Sequence, residues 1–218
     1  MKLILKEKIF LSEDVVNLIF EPEIEFSWIP GQFLQYYIED INDERGNDRF
    51  FTIASSPLEK SIYLTTRISE DSSEFKKRLL NIESIQSEGP WGNFTLSDDY
   101  SKYNINYIVG GIGITPVRSM VKDLILNKKD TSNINILYFN RNKDFIFKKD
   151  IENLKVFYKE GSANELDFKN NLISSPTSLF YISGPEGFVK YINSILIDKL
   201  NINNNLIKKD FFPGYKDL

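Results

Sequence analysis

A glycine-rich turn between an apolar strand and a helix constrains the fold of this 218-residue chain most strongly. The pattern of residues 105–109 predicts an apolar strand, residues 110–116 read Gly-Gly-Ile-Gly-Ile-Thr-Pro, and apolar residues then recur at helical spacing. This order is typical of the beginning of a dinucleotide-binding α/β domain. Glycines allow close approach of the backbone to a diphosphate, and the helix N-terminus favours its charge. The predicted dinucleotide-binding residues of the turn are Gly111, Gly113, Thr115 and Pro116.

Two further strand ends in this half carry candidate ligand-binding residues. A strand at 133–139 ends before Asn140 and Arg141, which are thereby placed to meet an adenosine ribose or its 2′-phosphate; an exposed loop arginine is the alternative. A strand at 179–182 precedes Ser183, Gly184 and Pro185, and a helix follows to about residue 199. Strands at 155–158 and 206–212 and a short helix at 165–172 complete the predicted α/β sheet.

The first half of the chain predicts short strands separated by turn signals. The predicted strands are 2–10, 15–21, 31–39, 49–54, 61–67 and 84–87, with one helix at 72–81. Turn signals lie at 21–22, 30–31, 42–48 and 89–90. Short strands at this spacing favour a closed antiparallel barrel.

The strand that begins at Arg49 combines a cation, an aromatic ring and a hydroxyl. Arg49 and Phe51 are two residues apart and therefore share a face, whereas the Thr52 side chain points to the other face. A guanidinium suits a phosphate, a ring suits a flat ligand, and a hydroxyl or amide suits a ring heteroatom. An ordinary strand with a surface arginine is the alternative.

Two neighbouring segments offer weaker signals. Ser72 and Ser73 lie at the start of the predicted helix, where they act either as helix caps or as phosphate contacts. The segment 89–94, Gly-Pro-Trp-Gly-Asn-Phe, predicts a rigid turn whose role is structural or part of a site.

Composition excludes several functional classes. The chain has no cysteine and no histidine, which rules out disulfides, cysteine-ligated clusters and histidine triads and removes the usual zinc ligands. No metal site is predicted, and the chemistry of an enzyme with this composition is expected to come from an organic cofactor. A net charge of −4 argues against nucleic-acid binding, and no apolar run is long enough to span a membrane. We therefore expect a cytoplasmic protein with no membrane partner.

The Arg-Phe-Phe-Thr strand, the Gly-Gly-x-Gly-x-Thr-Pro turn and the later Gly-Pro turn occur in one order over nearly the whole chain. Together they resemble the ferredoxin–NADP reductase family, and the segment 89–94 is similar to the element that closes that family's barrel. The resemblance implies two domains: a flavin-binding antiparallel β-barrel at 1–99 and a nicotinamide-dinucleotide-binding α/β domain with a parallel sheet at 100–218. It also implies FAD as the flavin, NAD(P)H as co-substrate, and a site in the cleft between the domains.

The implied activity is that of an NAD(P)H-dependent flavoprotein reductase without a fused iron–sulfur domain. A hydride passes from nicotinamide C4 to flavin N5, and electrons continue to a separate acceptor such as ferredoxin, flavodoxin or a small molecule. Arg49 would pair with the flavin phosphates, Phe51 would pack on the flavin, and Thr52 would hydrogen-bond near N5. Ser183 stands where the family usually has a cysteine near the nicotinamide, so Thr52 and Ser183 are the candidate catalytic residues, and Gly184 and Pro185 are cofactor-binding candidates.

Two alternatives remain open at this stage. One is a free-flavin or ferric reductase, and the other is a flavin-binding electron-transfer or regulatory subunit that no longer turns over nicotinamide. The complete turn at 110–116 argues against the second.

Overall fold

The computed structural model describes residues 1–212, and the chain divides into two compact units. The first unit comprises Met1–Thr95, and the second begins at Leu96. The terminal residues 213–218, which include Tyr215, lie outside the described part of the chain.

The first unit is built on a six-stranded antiparallel sheet in the order β4-β3-β6-β1-β2-β5. Its strands are β1 (Lys2–Phe10), β2 (Val15–Pro22), β3 (Phe33–Tyr37), β4 (Asp48–Thr52), β5 (Ile62–Arg67) and β6 (Ser84–Trp91). The edge strands β4 and β5 meet where β4 ends, since Ile53 forms a bridge with Leu64 and the Ala54 N–H donates to the Tyr63 carbonyl at 2.9 Å. The sheet thus curls into the predicted barrel.

Apolar side chains at alternate positions of the strands point inward and form the core of this barrel. Leu34 and Tyr36 on β3 are fully buried, whereas the residues between and beside them are half-buried. Phe75 and Leu79, from the helical segment between β5 and β6, pack into the same core. This segment is shorter than predicted: α1 spans Glu74–Arg78, and a 3₁₀ turn follows at Leu79–Asn81.

The end of β6 differs from the sequence prediction. Gly89 and Pro90 were predicted to form a turn after a short strand, yet β6 continues through both residues to Trp91. An irregularity in the pairing with β3, between Phe33 and Gln35, accommodates them. A Cβ at Gly89, where φ is 123°, would lie 2.9 Å from the Leu34 side chain, so only glycine fits this position without strain.

The second unit is a five-stranded, wholly parallel sheet in the order β11-β10-β7-β8-β9. Its strands are β7 (Asn104–Gly110), β8 (Ile134–Asn140), β9 (Lys155–Glu160), β10 (Ser178–Pro185) and β11 (Ile207–Phe212). The central strands β7 and β8 are buried almost throughout, as expected when helices cover both faces of a parallel sheet. All five strands end at the same edge.

Up to residue 212, this unit contains four α-helices: α2 (Ile114–Leu126), α3 (Lys148–Ile151), α4 (Glu165–Asn171) and α5 (Glu186–Ser194). The α4 start is encoded locally, because Asn164 and Asp167 form a reciprocal capping box. A π-helical turn at Ile195–Lys199 continues α5 to the predicted residue, and α3 was not predicted. No helix within residues 1–212 is both long enough and apolar enough to cross a bilayer.

Candidate flavin and nicotinamide sites

Arg49 lies inside the first unit and is held by its own loop. The residue is 6% exposed, and its Nη1 donates to the carbonyl oxygens of Arg45 (3.0 Å), Gly46 (3.1 Å) and Asp48 (2.6 Å). Its Nη2 pairs with the Asp43 carboxylate. We call these three carbonyls and this carboxylate the Arg49 cage.

Asp43 carries the negative charge of the cage. Its side chain is 3% exposed, and it accepts hydrogen bonds from the backbone N–H of Arg45 at 3.0 Å and of Phe75 at 2.8 Å. Burial alone would raise the pKa of Asp43, but the Phe75 and Arg45 N–H groups and the Arg49 guanidinium outweigh it and lower the pKa to about 2. Asp43 is therefore a carboxylate at neutral pH.

Several buried polar atoms near Arg49 have no hydrogen-bond partner among residues 1–212. They are Tyr36 Oη, Arg49 Nε and Ser73 Oγ. Tyr36 lies directly opposite Arg49 in the β3–β4 pairing, and Ser73 precedes Phe75, whose ring centroid is 5.2 Å from the guanidinium carbon. Buried polar groups are normally paired, so unpaired donors beside a guanidinium fit an oxygen-rich anionic ligand such as a flavin diphosphate.

The other predicted residues of the Arg49 strand are also buried. Phe51 shares the face of Arg49 and packs edge-on against Tyr36, with ring centroids 5.8 Å apart. Thr52 ends β4 opposite Phe33 and is 5% exposed. Phe50, on the opposite face, is 52% exposed. The contacts of Phe51 and Thr52 with a flavin remain predictions.

The two predicted serines before α1 have different surroundings. Ser72 Oγ accepts from the Ser69 N–H at 2.9 Å and so closes a turn. Ser73 occupies the position before α1 without making a side-chain capping bond. Ser73 is thus the one of the pair with hydrogen-bonding capacity to spare.

In the second unit, the predicted glycine turn is packed against the end of a different strand. Gly111–Gly113 forms a 3₁₀ turn between β7 and α2, and Gly111 has a φ of 53°. A Cβ at Gly113 would lie 2.3 Å from the Ser183 carbonyl oxygen, a distance that no side chain can adopt. Thr115 Oγ1 donates to the Ile112 carbonyl at 3.1 Å, which stabilises the turn. Pro116 lies in the first turn of α2, as predicted.

The end of β10 is equally crowded. A Cβ at Gly184, where φ is 155°, would lie 3.1 Å from the Gly110 carbonyl oxygen and 3.0 Å from the Phe188 ring. Pro185 ends β10 and caps α5. The structure therefore brings the glycine turn and the Ser183–Pro185 segment together at one edge of the sheet, in a contact that only glycine permits at positions 113 and 184.

Ser183 is fully buried, and its hydroxyl donates to Asp210 Oδ2 on β11 at 3.4 Å. The two residues are partners in the β10–β11 pairing. Burial raises the pKa of the Asp210 carboxyl to about 6, and the Ser183 hydrogen bond offsets part of that effect. Asp210 therefore titrates close to neutral pH at the carboxyl edge of the sheet.

Asn140 ends β8 at the same edge, and Arg141 follows it. Asn140 is 7% exposed, and its amide donates to Asn142 Oδ1 at 2.9 Å and to the Asp144 carbonyl at 3.0 Å. The Asn140 side chain thus stabilises the turn through these two hydrogen bonds. Arg141 is exposed. Their contact with an adenosine ribose or 2′-phosphate remains a prediction.

Comparisons with known proteins agree with this arrangement. Residues 107–194 match the family described as oxidoreductase NAD-binding domain. The solved ferredoxin–NADP⁺ reductase of Plasmodium falciparum superposes with a TM-score of 0.78 at 20% identity, over 97% of this chain and 95% of that one. The chain has the fold of ferredoxin–NADP⁺ reductase. The predicted resemblance and the predicted two-part fold class are therefore confirmed.

Two curated relatives extend this likeness. A flavohemoprotein of Bacillus anthracis is 25% identical over 94% of this chain, but the chain spans only 59% of its length. The electron transfer subunit of dihydroorotate dehydrogenase B (NAD(+)) from Streptococcus pneumoniae is 25% identical over 91% of this chain and 80% of its own. Both names are consistent with the predicted oxidoreductase class and with flavin and nicotinamide cofactors.

Three residues of these sites were missed by sequence reasoning. Asp43 lies in a polar run that was interpreted only as a turn, and Asp210 lies in a strand predicted without regard to its charge. Phe188, against which Gly110 and Gly184 pack, carries no distinguishing signal in the sequence. For Asp210 the sequence did contain a local signal, because it is a single carboxylate between two lysines and two phenylalanines in the last predicted strand.

Proposed function

We propose that this ferredoxin–NADP reductase-like chain is an NAD(P)H-dependent flavoprotein reductase that takes a hydride from NAD(P)H onto FAD and passes electrons to a separate acceptor. The first unit (predicted as 1–99) would hold FAD and the second (predicted as 100–218) would hold the nicotinamide dinucleotide. The observation that carries the proposal is the order of strand β7, glycine turn and helix α2 at the carboxyl edge of a parallel sheet, because such a helix start is where a dinucleotide diphosphate binds.

The first unit's residues would bind and orient the flavin. Arg49 is the predicted phosphate ligand, and the unpaired Ser73 and Tyr36 hydroxyls support an oxygen-rich ligand beside it. Phe51 is the predicted packing surface, and Thr52 the predicted hydrogen-bond partner near N5. When bound, FAD would supply the hydride acceptor and the ability to release electrons one or two at a time.

The second unit's residues would position the nicotinamide dinucleotide. Gly111 and Gly113 form the buried turn at the start of α2, and Gly184 and Pro185 shape the neighbouring strand end. Ser183 would orient the bound ring through its hydroxyl, whose own orientation is set by Asp210. No strong base is needed, because the reaction depends on alignment of two rings.

Ferredoxin, flavodoxin or a small molecule is the proposed acceptor. A second candidate is an electron-transfer subunit of a larger enzyme, which is favoured by the likeness to the streptococcal subunit over most of both chains. The cofactor chemistry within this chain is the same for both candidates.

The proposal is tested by a visible spectrum of the purified protein, repeated anaerobically after NADH and then NADPH. We expect a flavin spectrum that bleaches with one or both nicotinamides, and turnover with ferricyanide as a general acceptor. A flavin spectrum that neither nicotinamide bleaches would contradict the reductase proposal. That result would instead indicate a flavin-binding subunit that does not turn over nicotinamide.

A further inference from the structure

The oxygens of the Arg49 cage occupy the guanidinium that is proposed to bind the flavin phosphates. The Arg49 and Asp43 side chains are 7% and 3% exposed. Nη1 of Arg49 donates to three carbonyl oxygens of the cage, and Nη2 pairs with Asp43. The remaining donor, Nε, is itself buried. A phosphate that binds both Nη groups of Arg49 must therefore replace oxygens of the cage, including the Asp43 carboxylate on Nη2.

The surroundings of Asp43 are those that a phosphate oxygen would seek. A guanidinium and two backbone N–H groups, those of Arg45 and Phe75, converge on one carboxylate. Charge-assisted hydrogen bonds of this kind suit a carboxylate and a phosphate alike. Asp43 thus offers Arg49 the same interaction that a flavin phosphate would.

We propose that Asp43 is a built-in competitor of the flavin phosphates for Arg49, and that flavin binding moves the Asp43 carboxylate out of the cage. This inference rests on the proposed function, in which Arg49 is the phosphate ligand. Competition of this kind keeps the buried guanidinium neutralised in the free protein, where an unpaired buried cation would be strongly destabilising. It also weakens flavin binding, because each gained phosphate contact replaces a contact with Asp43.

The first test compares flavins that differ only in phosphate content. The full-length protein is stripped of flavin and titrated with riboflavin, FMN and FAD, with flavin fluorescence as the readout. Asp43→Asn keeps the shape of the side chain and removes its charge. We expect it to bind FAD and FMN about tenfold more tightly than the wild type, with riboflavin unchanged. The matched control is Glu44→Gln, an exposed acid on the same turn, for which all three affinities should stay the same.

The outcomes separate this inference from the proposed function. Unchanged or weaker FAD binding by Asp43→Asn overturns the competition. If the wild type prefers FAD no more than riboflavin, no phosphate site exists, and both the inference and the proposed role of Arg49 are wrong. If Arg49→Ala weakens FAD binding while Asp43→Asn does not tighten it, only the competition is wrong.

A second measurement needs no variant and covers the case in which Asp43→Asn does not fold. The Arg45 amide donates to Asp43 Oδ1 in the free protein, so loss of that acceptor should make its hydrogen exchange faster when FAD is bound. The Ile53 amide, which donates to the Gln32 carbonyl at 2.9 Å, should not become faster. Equal or greater protection of Arg45 in the FAD-loaded protein would show that Asp43 stays in the cage, and would overturn the inference.

Discussion

Two aspartates, one in each unit, have opposite electrostatic environments. Asp43 is surrounded by a guanidinium and two backbone N–H groups, which lower its pKa to about 2 despite burial. Asp210 is buried with the Ser183 hydroxyl as its hydrogen-bond partner, and its pKa is raised to about 6. The first carboxylate is permanently charged and paired, whereas the second changes its charge within the working range of most proteins.

The same contrast separates the two candidate sites as a whole. The site in the first unit depends on side-chain charge, since Arg49 and its cage dominate it. The site in the second unit depends on the absence of side chains, since Gly110, Gly113 and Gly184 allow backbone and ring atoms to meet. Changes of charge should therefore affect flavin binding, and changes of volume should affect the nicotinamide-binding unit.

The largest effect is expected for Gly113→Val. The new side chain collides with the Ser183 carbonyl, which should cost about 3 kcal/mol of unfolding free energy in the second unit. Reduction by NAD(P)H should slow at least about a hundredfold, because the dinucleotide is displaced. Flavin content should remain, since the first unit has its own core. Chemical denaturation, flavin content and stopped-flow reduction measure the three quantities.

The matched control is Gly187→Ala in α5. A Cβ there meets no atom within 4 Å, so the change should stabilise the helix by about 0.5–1 kcal/mol without affecting reduction. Wild-type stability and reduction kinetics in Gly113→Val would refute both the observed contact and the proposed position of the diphosphate.

Arg49→Ala should lower FAD affinity about ten- to a hundredfold, through loss of a charge-assisted contact of roughly 1.5–3 kcal/mol. Competition by Asp43 would bring the loss toward the lower end. The variant also leaves Asp43 buried without its cation, so the protein should be less stable. Adding Asp43→Asn should recover stability but not flavin binding.

Flavin content after dialysis and urea denaturation are the two readouts for this series. Arg45→Ala, which removes an exposed arginine but keeps the backbone carbonyl of the cage, should retain its flavin. Full flavin occupancy in Arg49→Ala would show that Arg49 is not the phosphate ligand.

The raised pKa of Asp210 predicts a pH-dependent stability. A buried carboxyl with a native pKa of about 6 holds its proton more tightly than in the unfolded chain. Its stabilising contribution is complete below about pH 4 and is lost as pH rises through about 6, by at most about 3 kcal/mol. Between these pH values, the wild type should lose stability relative to Asp210→Asn. The exposed Asp198→Asn should instead follow the wild type, and parallel profiles for all three proteins would contradict the assignment.

The smallest effect is expected for Ser183→Ala. Losing the proposed neutral hydrogen bond from the hydroxyl to the nicotinamide should slow anaerobic flavin reduction about two- to tenfold, with unchanged flavin content. Ser183→Cys should be tolerated, because cysteine is the usual residue of the resembled family at this position. A thousandfold loss in Ser183→Ala would instead identify an essential catalytic serine.

Most of the element order was predictable from local patterns. The predicted strand at 2–10 is the observed β1, and the helix after the glycine turn begins where its proline indicates. Alternating burial, glycine turns and capping residues act over a few positions, so the chain encodes them locally. The extension of β6 through Gly89 and Pro90 was not predictable, because it depends on pairing with β3.

The sequence by itself therefore determined the two fold types and the residues with suitable chemistry, including Arg49, Gly113 and Ser183. Only the tertiary structure decided what those residues touch. Gly113 meets a carbonyl seventy positions later, and Ser183 pairs with a carboxylate on the last strand. Such contacts arise from sheet order, which local spacing does not specify. Whether a charge is paired or isolated, and hence its pKa, follows from those distant neighbours.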